Sequence, residues 1–326
     1  MNTLRPWRLK TRVLRGERPA IMAILNATPD SFSDGGRFAD RRQREFTPDL
    51  DAIVDAAKDA VRQGAAILDV GGESTRPGGE PIDESEELRR VVPVVRALVR
   101  TVDVPLSVDT YRPAVADAAL HEGAEIVNDV AAGRYIGSQR RFALESETDF
   151  PEELAEVVAR HGAAVVIMHM RGTPKTMQAT PPEYPAGVVD EVLAFLKRRR
   201  DAFGAAGVSP ERIAFDPGLG FGKTFEQNWS LVQESARFRV LDGPLLYGFS
   251  RKSFLRETAR RYAETTGTSG DDALCCDVET LDFLTATLSA LLAARPVELL
   301  RVHNVRQTAL ALQLARYSQH SKDATP

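Results

Sequence analysis

Seven short stretches concentrate the groups that could do chemistry. They are "ILNATPDSFSDGG" (24–36), "DVGGESTRPGG" (69–79), "SVDT" (107–110), "IVND" (126–129), "DPG" (216–218), "SRKSF" (250–254) and "RVHN" (301–304). Asp109, Asn128 and Asp216 form an acidic and amide set. Buried carboxylates are unfavourable unless hydrogen-bonded or paired, and one natural partner is a flat ring with two parallel N–H donors, as in guanine or a pterin. Each of the three, taken alone, reads better as a helix cap or a tie between strands, but three together at strand ends, near Lys252, favour a ligand. Arg301, His303 and Arg76 form a cationic set. Arginine presents a planar fork suited to phosphate oxygens, and glycine-rich loops let backbone N–H groups approach an anion. Arg301 and His303, two residues apart, share one face of a strand. Ser250 or Ser253 could cap the helix that "SRKSF" opens, and a helix N-terminus attracts carboxylates and phosphates.

These residues need a frame that brings them together. Eight apolar runs end in polar residues: 20–26, 65–74, 104–110, 124–129, 163–170, 212–218, 244–250 and 298–304. Amphipathic stretches lie between them, among them 50–64, 86–100, 190–207 and 279–294, and Gly64, Gly123, Gly162 and Gly207 stand where helices should stop. Alternating strands and helices argue for parallel βα units, and eight of them fit an α/β fold of the (β/α)8 TIM-barrel type. A doubly wound sheet is the alternative, but no G-x-G-x-x-G follows the first strand. In a barrel the strand ends converge on one mouth, which would gather Asn26, Asp69, Glu73, Asp109, Asn128, Asp129, His169, Asp216, Lys252, Arg301 and His303. Residues 1–19 form an extension, read as a short N-terminal β-hairpin carrying Trp7, Leu9 and Val13. The barrel spans 20–318, and 319–326 read as a disordered tail. Two segments break the rhythm, 134–150 and 257–277, and both are expected to be surface loops.

The chain has 326 residues, 43% of them hydrophobic, 27% charged, and a net charge of −4. This composition is that of a globular protein with no general electrostatic pull toward nucleic acid or an anionic membrane. No apolar run approaches the roughly 20 residues that span a bilayer, and the opening has no apolar signal core. Cys275 and Cys276 are adjacent, which argues against a disulfide framework or zinc site. A cytoplasmic protein is expected.

Taken together, "ILNATPDSFSDGG", "DVGGESTRPGG", "SVDT", "IVNDV", "MHMRGTPKTMQ", "DPGLGFGKT", "GFSRKSF" and "RVHNV" resemble, in order, the motifs of the dihydropteroate synthase family, from residue 21 to about 305. The resemblance implies a transfer reaction in folate biosynthesis. Dihydropterin pyrophosphate would lose pyrophosphate and p-aminobenzoate would take its place, with Mg2+ assisting. It implies that the pterin lies deep in the barrel, its donor edge on Asp216, near Asp109, Asn128 and Lys252, with Val130 and Met168 on its faces. Pyrophosphate would meet Thr75, Arg76, Arg301 and His303. Phe32, Thr75, Pro77, Phe221 and Ser253 would receive p-aminobenzoate, and Asn26 would help to hold the metal. Asp34, Arg76 and Lys252 would carry catalysis. In this family the bond to pyrophosphate breaks largely before the amine attacks. The loop with Asp30, Phe32 and Asp34, hinged on Gly35 and Gly36, would then close over a cationic methylene. A homodimer is implied, with small-molecule substrates as the other partners.

Departures from the family pattern are Asn304 in place of an aspartate that would orient His303, the 134–150 insert, and the 257–280 connection with its "CCD". A methyltetrahydrofolate-type methyltransferase would share the pterin set but has no use for the anion site, "TPDSFSDGG" or "STRPGG". A non-catalytic pterin-binding paralogue should have lost loop residues or the Arg301–His303 pair, which this chain keeps. For Asp34→Ala the expected outcome is nearly intact pterin binding with turnover reduced by about tenfold or more, read from calorimetry and steady-state rates; unchanged turnover would refute the role given to this loop.

Overall fold

A computed structural model describes residues 4–28, 48–73, 82–143, 147, 149–172, 177, 183–267 and 277–319. Eight parallel strands form the barrel: β3 (Ala20–Asn26), β4 (Ile67–Gly71), β5 (Leu106–Asp109), β6 (Ile126–Asp129), β9 (Ala164–Met168), β10 (Ile213–Asp216), β11 (Leu246–Gly248) and β12 (Leu299–Val302). Their order is β10-β9-β6-β5-β4-β3-β12-β11, and a single parallel bridge, Phe215 to Leu245, brings the two ends together. All eight apolar runs contribute a strand. The helices around them are α1 (Leu50–Arg62), α2 (Glu84–Val99), α3 (Pro113–His121), α4 (Glu153–His161), α5 (Val188–Ala205), α6 (Phe225–Gln233), α7 (Ser253–Thr266), α8 (Val278–Leu292) and α9 (Val305–Gln319). Aspartate side chains start three of them, Asp49 for α1, Asp83 for α2 and Asp277 for α8, each accepting a first-turn backbone N–H. The four glycines expected at helix ends all have positive φ.

Because side chains alternate along a strand, each barrel strand has one series facing the helices and one facing inward. The outward series packs with the helices into the large outer core, for example Leu68, Val70, Val108 and Val127. The inward series begins apolar. Met22, Ile67, Ile126, Val166, Ala214, Leu246 and Leu299 fill the lower interior. The expected hairpin plugs that lower end: β1 (Trp7–Arg8) pairs antiparallel with β2 (Val13–Leu14), and Trp7 and Leu9 join the inner cluster. The Trp7 indole donates to the Arg212 carbonyl at 3.0 Å, and Thr11 N donates to Glu125 at 2.8 Å. The plug closes the end of the barrel opposite the chemistry.

Two expectations fail. The 134–150 segment is no polar surface loop at its start: β7 (Tyr135–Ile136) and β8 (Arg141–Phe142) make a small antiparallel hairpin, and Arg134, Tyr135, Ile136 and Ala143 are buried. Apolar residues spaced among arginines supply that burial, and the charged letters masked it. The start of the 257–277 connection is helix, since α7 runs to Thr266. Ion pairs three and four residues apart, Glu257 with Arg260 and Arg261 and Arg260 with Glu264, line its exposed side.

Trp7 is 1% exposed. Trp7→Ala should lower stability by about 3–5 kcal/mol, read as an earlier denaturant midpoint; a shift near zero would mean the hairpin contributes nothing to closing the barrel.

Candidate active site

The inward series changes character one step up on five of the eight strands. Above Ile67 comes Asp69, above Ser107 Asp109, above Ile126 Asn128, above Ala214 Asp216 and above Leu299 Arg301. All the carboxylates and the amide in this belt are buried. Arg301 Nε donates to Asp69 Oδ2 and Arg301 Nη2 to Asp109 Oδ2, both at 2.6 Å, and Asn128 Nδ2 donates to Asp69 Oδ2 at 3.0 Å. Asp69 Oδ1 and Asp109 Oδ1 have no hydrogen-bond partner among the described residues. Where β4 and β11 reach this level they carry Gly71 and Gly248. A Cβ on Gly71 would sit 3.5 Å from Asn26 Oδ1 and 3.6 Å from Asp109 Cβ. One on Gly248 would sit 3.6 Å from Asp216 Oδ2 and 3.8 Å from Arg301 Cβ. The missing side chains leave room at the centre of the belt, and they make neighbours of Asp216 and Arg301.

The acidic and cationic sets are therefore not two separate poles, as expected, but one joined network. Two carboxylates buried in a barrel need a counter-charge, and Arg301 is turned inward to supply it. Burial pushes the Asp109 carboxyl up to about 7, against the pull of Arg301. It also raises Asp216, against Lys252, and lowers the Lys252 ammonium to about 8, against Asp216. Burial opposes the Arg301 charge too, but Asp69 and Asp109 outweigh it and hold the guanidinium's pKa above its usual range.

Above the belt the series turns apolar again on one side only. Tyr111, Val130, Met168, Met170, Met177 and Phe221 cluster there with Tyr135 and Phe142 of the hairpin. Lys252 lies over the Phe221 ring, 4.4 Å from its centre, and its ammonium donates to the Leu219 carbonyl at 2.5 Å. The loop after β10 follows from Gly218, whose φ of +71° and whose Cβ position, 1.9 Å from the His169 carbonyl, admit no other residue. Gly218 N donates to Asp216 Oδ1 at 2.7 Å and so turns the carboxylate. Lys223, buried beneath this loop, bonds the Gly218 and Phe221 carbonyls and His169 Nδ1 at 2.9–3.0 Å.

Asn26, Asp109, Asn128, Val130, Met168, Asp216, Phe221, Lys252, Arg301 and His303 thus meet at one mouth. Phe32, Asp34, Thr75, Arg76 and Pro77 lie outside the described residues. Ser253 is the exposed first residue of α7 and Lys252 occupies the cap position, without a side-chain capping bond. Ser250 does not cap the helix either, because its hydroxyl accepts from His303 N at 3.2 Å and lies 3.0 Å from His303 Nδ1. That contact orients the His303 ring. Asn304 instead donates to Asp282, which also clamps Arg251. Asp129 and His169 were expected at the mouth, but alternation turns them outward. Asp129 accepts from Ala131 N and Gly133 N, and His169 packs on Phe195 of α5. Beside Lys223, burial first and that cation second hold the His169 ring well below its usual pKa. Tyr111 and Lys223 escaped the sequence reading; continuing the alternation Ser107, Asp109, Tyr111 past the strand end would have found the first.

Among the described residues no group of three His, Cys, Asp or Glu could enclose a metal ion. The oxygen donors at the mouth, Asn26 Oδ1 and the Asp109 carboxylate across bare Gly71, are of the type that Mg2+ takes, and Mg2+ commonly keeps water and substrate phosphate as its other ligands. The donor set fits that ion.

Residues 22–303 match the family described as pterin binding enzyme. A dihydropteroate synthase of Synechocystis sp. is 37% identical over 300 residues, 92% of this chain and 90% of its own. The dihydropteroate synthase of Yersinia pestis, solved with a sulfonamide drug complex, superposes with a TM-score of 0.78 at 31% identity, covering 97% of this chain and 99% of that one. That of Xanthomonas albilineans, solved with 4-aminobenzoic acid, gives 0.76 at 35% identity, covering 99% and 100%.

The carboxyl of Asp109 sits at about 7 when folded against an ordinary 3.8. Between those values the folded chain keeps a proton that the unfolded chain has lost, so this group lowers stability as pH rises through the window. Arg301→Met removes the counter-charge and extends that window to higher pH. The variant should lose about 3–5 kcal/mol at pH 8 and distinctly less at pH 5, measured by urea unfolding; equal losses at both pH values would disprove the pairing.

Proposed function

The chain belongs to the pterin-binding enzyme family, among its dihydropteroate synthases, and from that membership we propose how its own residues carry out the transfer. The substrates are 6-hydroxymethyl-7,8-dihydropterin pyrophosphate and p-aminobenzoate; the products are 7,8-dihydropteroate and pyrophosphate. The observation that carries this reading is the belt of Asp109, Asn128 and Asp216 beside Lys252, buried acceptors around a gap left by two glycines.

A pterin lowered into that gap would give its N–H edge to Asp216, with Asp109, Asn128 and Lys252 around it and Val130 and Met168 on its faces. Pyrophosphate would lie toward Arg301 and His303, joined by Thr75 and Arg76. The methylene C–O bond breaks with its electron pair leaving on pyrophosphate; the amine nitrogen forms the new C–N bond and gives up a proton. Asp34 would face the cationic methylene in between, where fixed negative charge lowers the barrier. Phe32, Thr75, Pro77, Phe221 and Ser253 would form the p-aminobenzoate pocket, which sulfonamides would share. Asn26 would hold Mg2+, which supplies charge stabilisation for the leaving group when bound. The whole reaction would run in the single barrel of residues 20–318, in the cytoplasm; no helix among the described residues is long and apolar enough to cross a membrane.

The chain would work as a homodimer. Phe283 and Leu291 on α8, Leu310, Leu314 and Tyr317 on α9, and Tyr262 on α7 are large apolar side chains left exposed on helices that pack together. Apolar surface of that kind marks an interface.

Purified protein given both substrates and Mg2+ should release pyrophosphate and lose that activity to a chelator. Asp216→Ala should abolish binding of the pterin substrate in calorimetry while the fold persists. Retained tight binding would overturn the assignment of the belt.

A further inference from the structure

Tyr111 continues the inward series of β5 one step above Asp109, at the level where a ring held by the belt would present its edge. Its ring lies 4.8 Å from that of Tyr135 and 5.0 Å from that of Phe142, and those two are 5.2 Å apart. Tilted contacts at this spacing are the favoured geometry of aromatic packing. The trio is continuous with Val130, Met168 and Phe221, the apolar groups beside the belt. Two of its three rings come from the β7–β8 hairpin, which the sequence pattern had set aside as surface.

The trio is also held in place by buried polar bonds, which a loosely folded flap would not have. Tyr111 Oη donates to Glu73 at 2.7 Å. The other oxygen of Glu73 pairs with Arg112 at 2.7 Å, and Arg112 also pairs with Glu87. The hairpin is tied to the loop after β9 by Arg134, which donates to the Met170 carbonyl at 2.8 Å, and its own base is closed by Ala143 N, which donates to the Arg134 carbonyl at 2.7 Å. Aromatic rings fixed from both sides make a surface whose shape does not adapt to its ligand.

Resting on the pterin site described above, we propose that Tyr111, Tyr135 and Phe142 form a rigid side wall of the heterocycle pocket and determine how well the pterin substrate is held there. They act chiefly on the pterin: they adjoin Val130 and Met168, and although Phe221 joins the same cluster, Ser253, the other described residue of the p-aminobenzoate pocket, stands outside it at the start of α7. A hairpin serving only to cover the core would affect both substrates alike.

The test is the KM of each substrate, with calorimetric binding of the pterin substrate alongside. The double variant Tyr135→Ala with Phe142→Ala should raise the KM for dihydropterin pyrophosphate by about tenfold and leave that for p-aminobenzoate within about twofold. Tyr135→Phe, which keeps the ring, should raise the pterin KM far less than the double variant does. Should the double variant not fold, Phe142→Leu keeps apolar bulk without a flat ring and should raise the pterin KM alone by a smaller factor. An unchanged pterin KM, or equal rises for both substrates, overturns the wall. Wild-type protein that neither binds the pterin nor releases pyrophosphate would overturn the underlying reading of the site, a result distinguishable from failure of the wall alone.

Discussion

The bridge from Arg301 to Asp69 and Asp109 is the constraint on which the upper barrel depends. Arg301 stands on β12, whose neighbours are β3 and β11, and it reaches past β3 to β4 and β5. The two ends of the chain are thus joined across the interior through charge. Two carboxylates at this depth would be strongly unfavourable alone. With the guanidinium between them they become a fixed array of acceptors, and Asn128 adds its donor to the same oxygen of Asp69 that Arg301 uses. Both carboxylates contribute one oxygen to the bridge, and each directs a second, Oδ1, elsewhere. Stability therefore draws on one half of each carboxylate, and the other half has no partner among the described residues.

The layering of the inward series explains how a barrel interior, normally a packed apolar core, can hold such a belt. The apolar floor and the Trp7 plug keep water out from below. Gly71 and Gly248 remove side chains at the belt itself, and the aromatic and methionine side chains rise above it over β5, β6, β9 and β10. Opposite that wall the mouth carries His303 and the start of the Asn26 loop. One side of the opening is therefore apolar and aromatic and the other polar. The asymmetry follows from which strands end in Tyr, Val and Met and which in Asn and His.

Much of this was legible in the sequence, for a physical reason. Strands of a closed parallel barrel are buried on both faces, so they read as continuous apolar runs, and the helices between them keep an amphipathic period. The abrupt polar ends at Asp109, Asn128 and Asp216 were visible for the same reason. Other features left no such trace. The contact of Arg301 with Asp69 spans 232 positions, and nothing local in "RVHN" announces it. Asp129 beside Asn128, and His169 beside Met168, looked equivalent to their neighbours, yet a strand turns successive side chains to opposite faces. The hairpin at 135–142 hid because arginines flank its buried rings, and the first part of the segment after β11 hid because past Leu255 the buried stripe of α7 consists of small residues, Ala259 and Ala263, set among charged ones.

The joined network also bears on how one arginine can serve two purposes. A guanidinium carries five N–H donors in a plane. In Arg301 the edge formed by Nε and Nη2 is the one committed to the carboxylates. The end of the fork that carries Nη1 is turned away from that edge. A phosphate oxygen bound at Nη1 would displace neither carboxylate. A lysine at the same place would have to divide one point charge between the two demands. Holding the belt together and receiving a departing anion are thus compatible in this residue because its donors are spread in a rigid plane, and the carboxylates below fix the orientation of that plane before any substrate arrives.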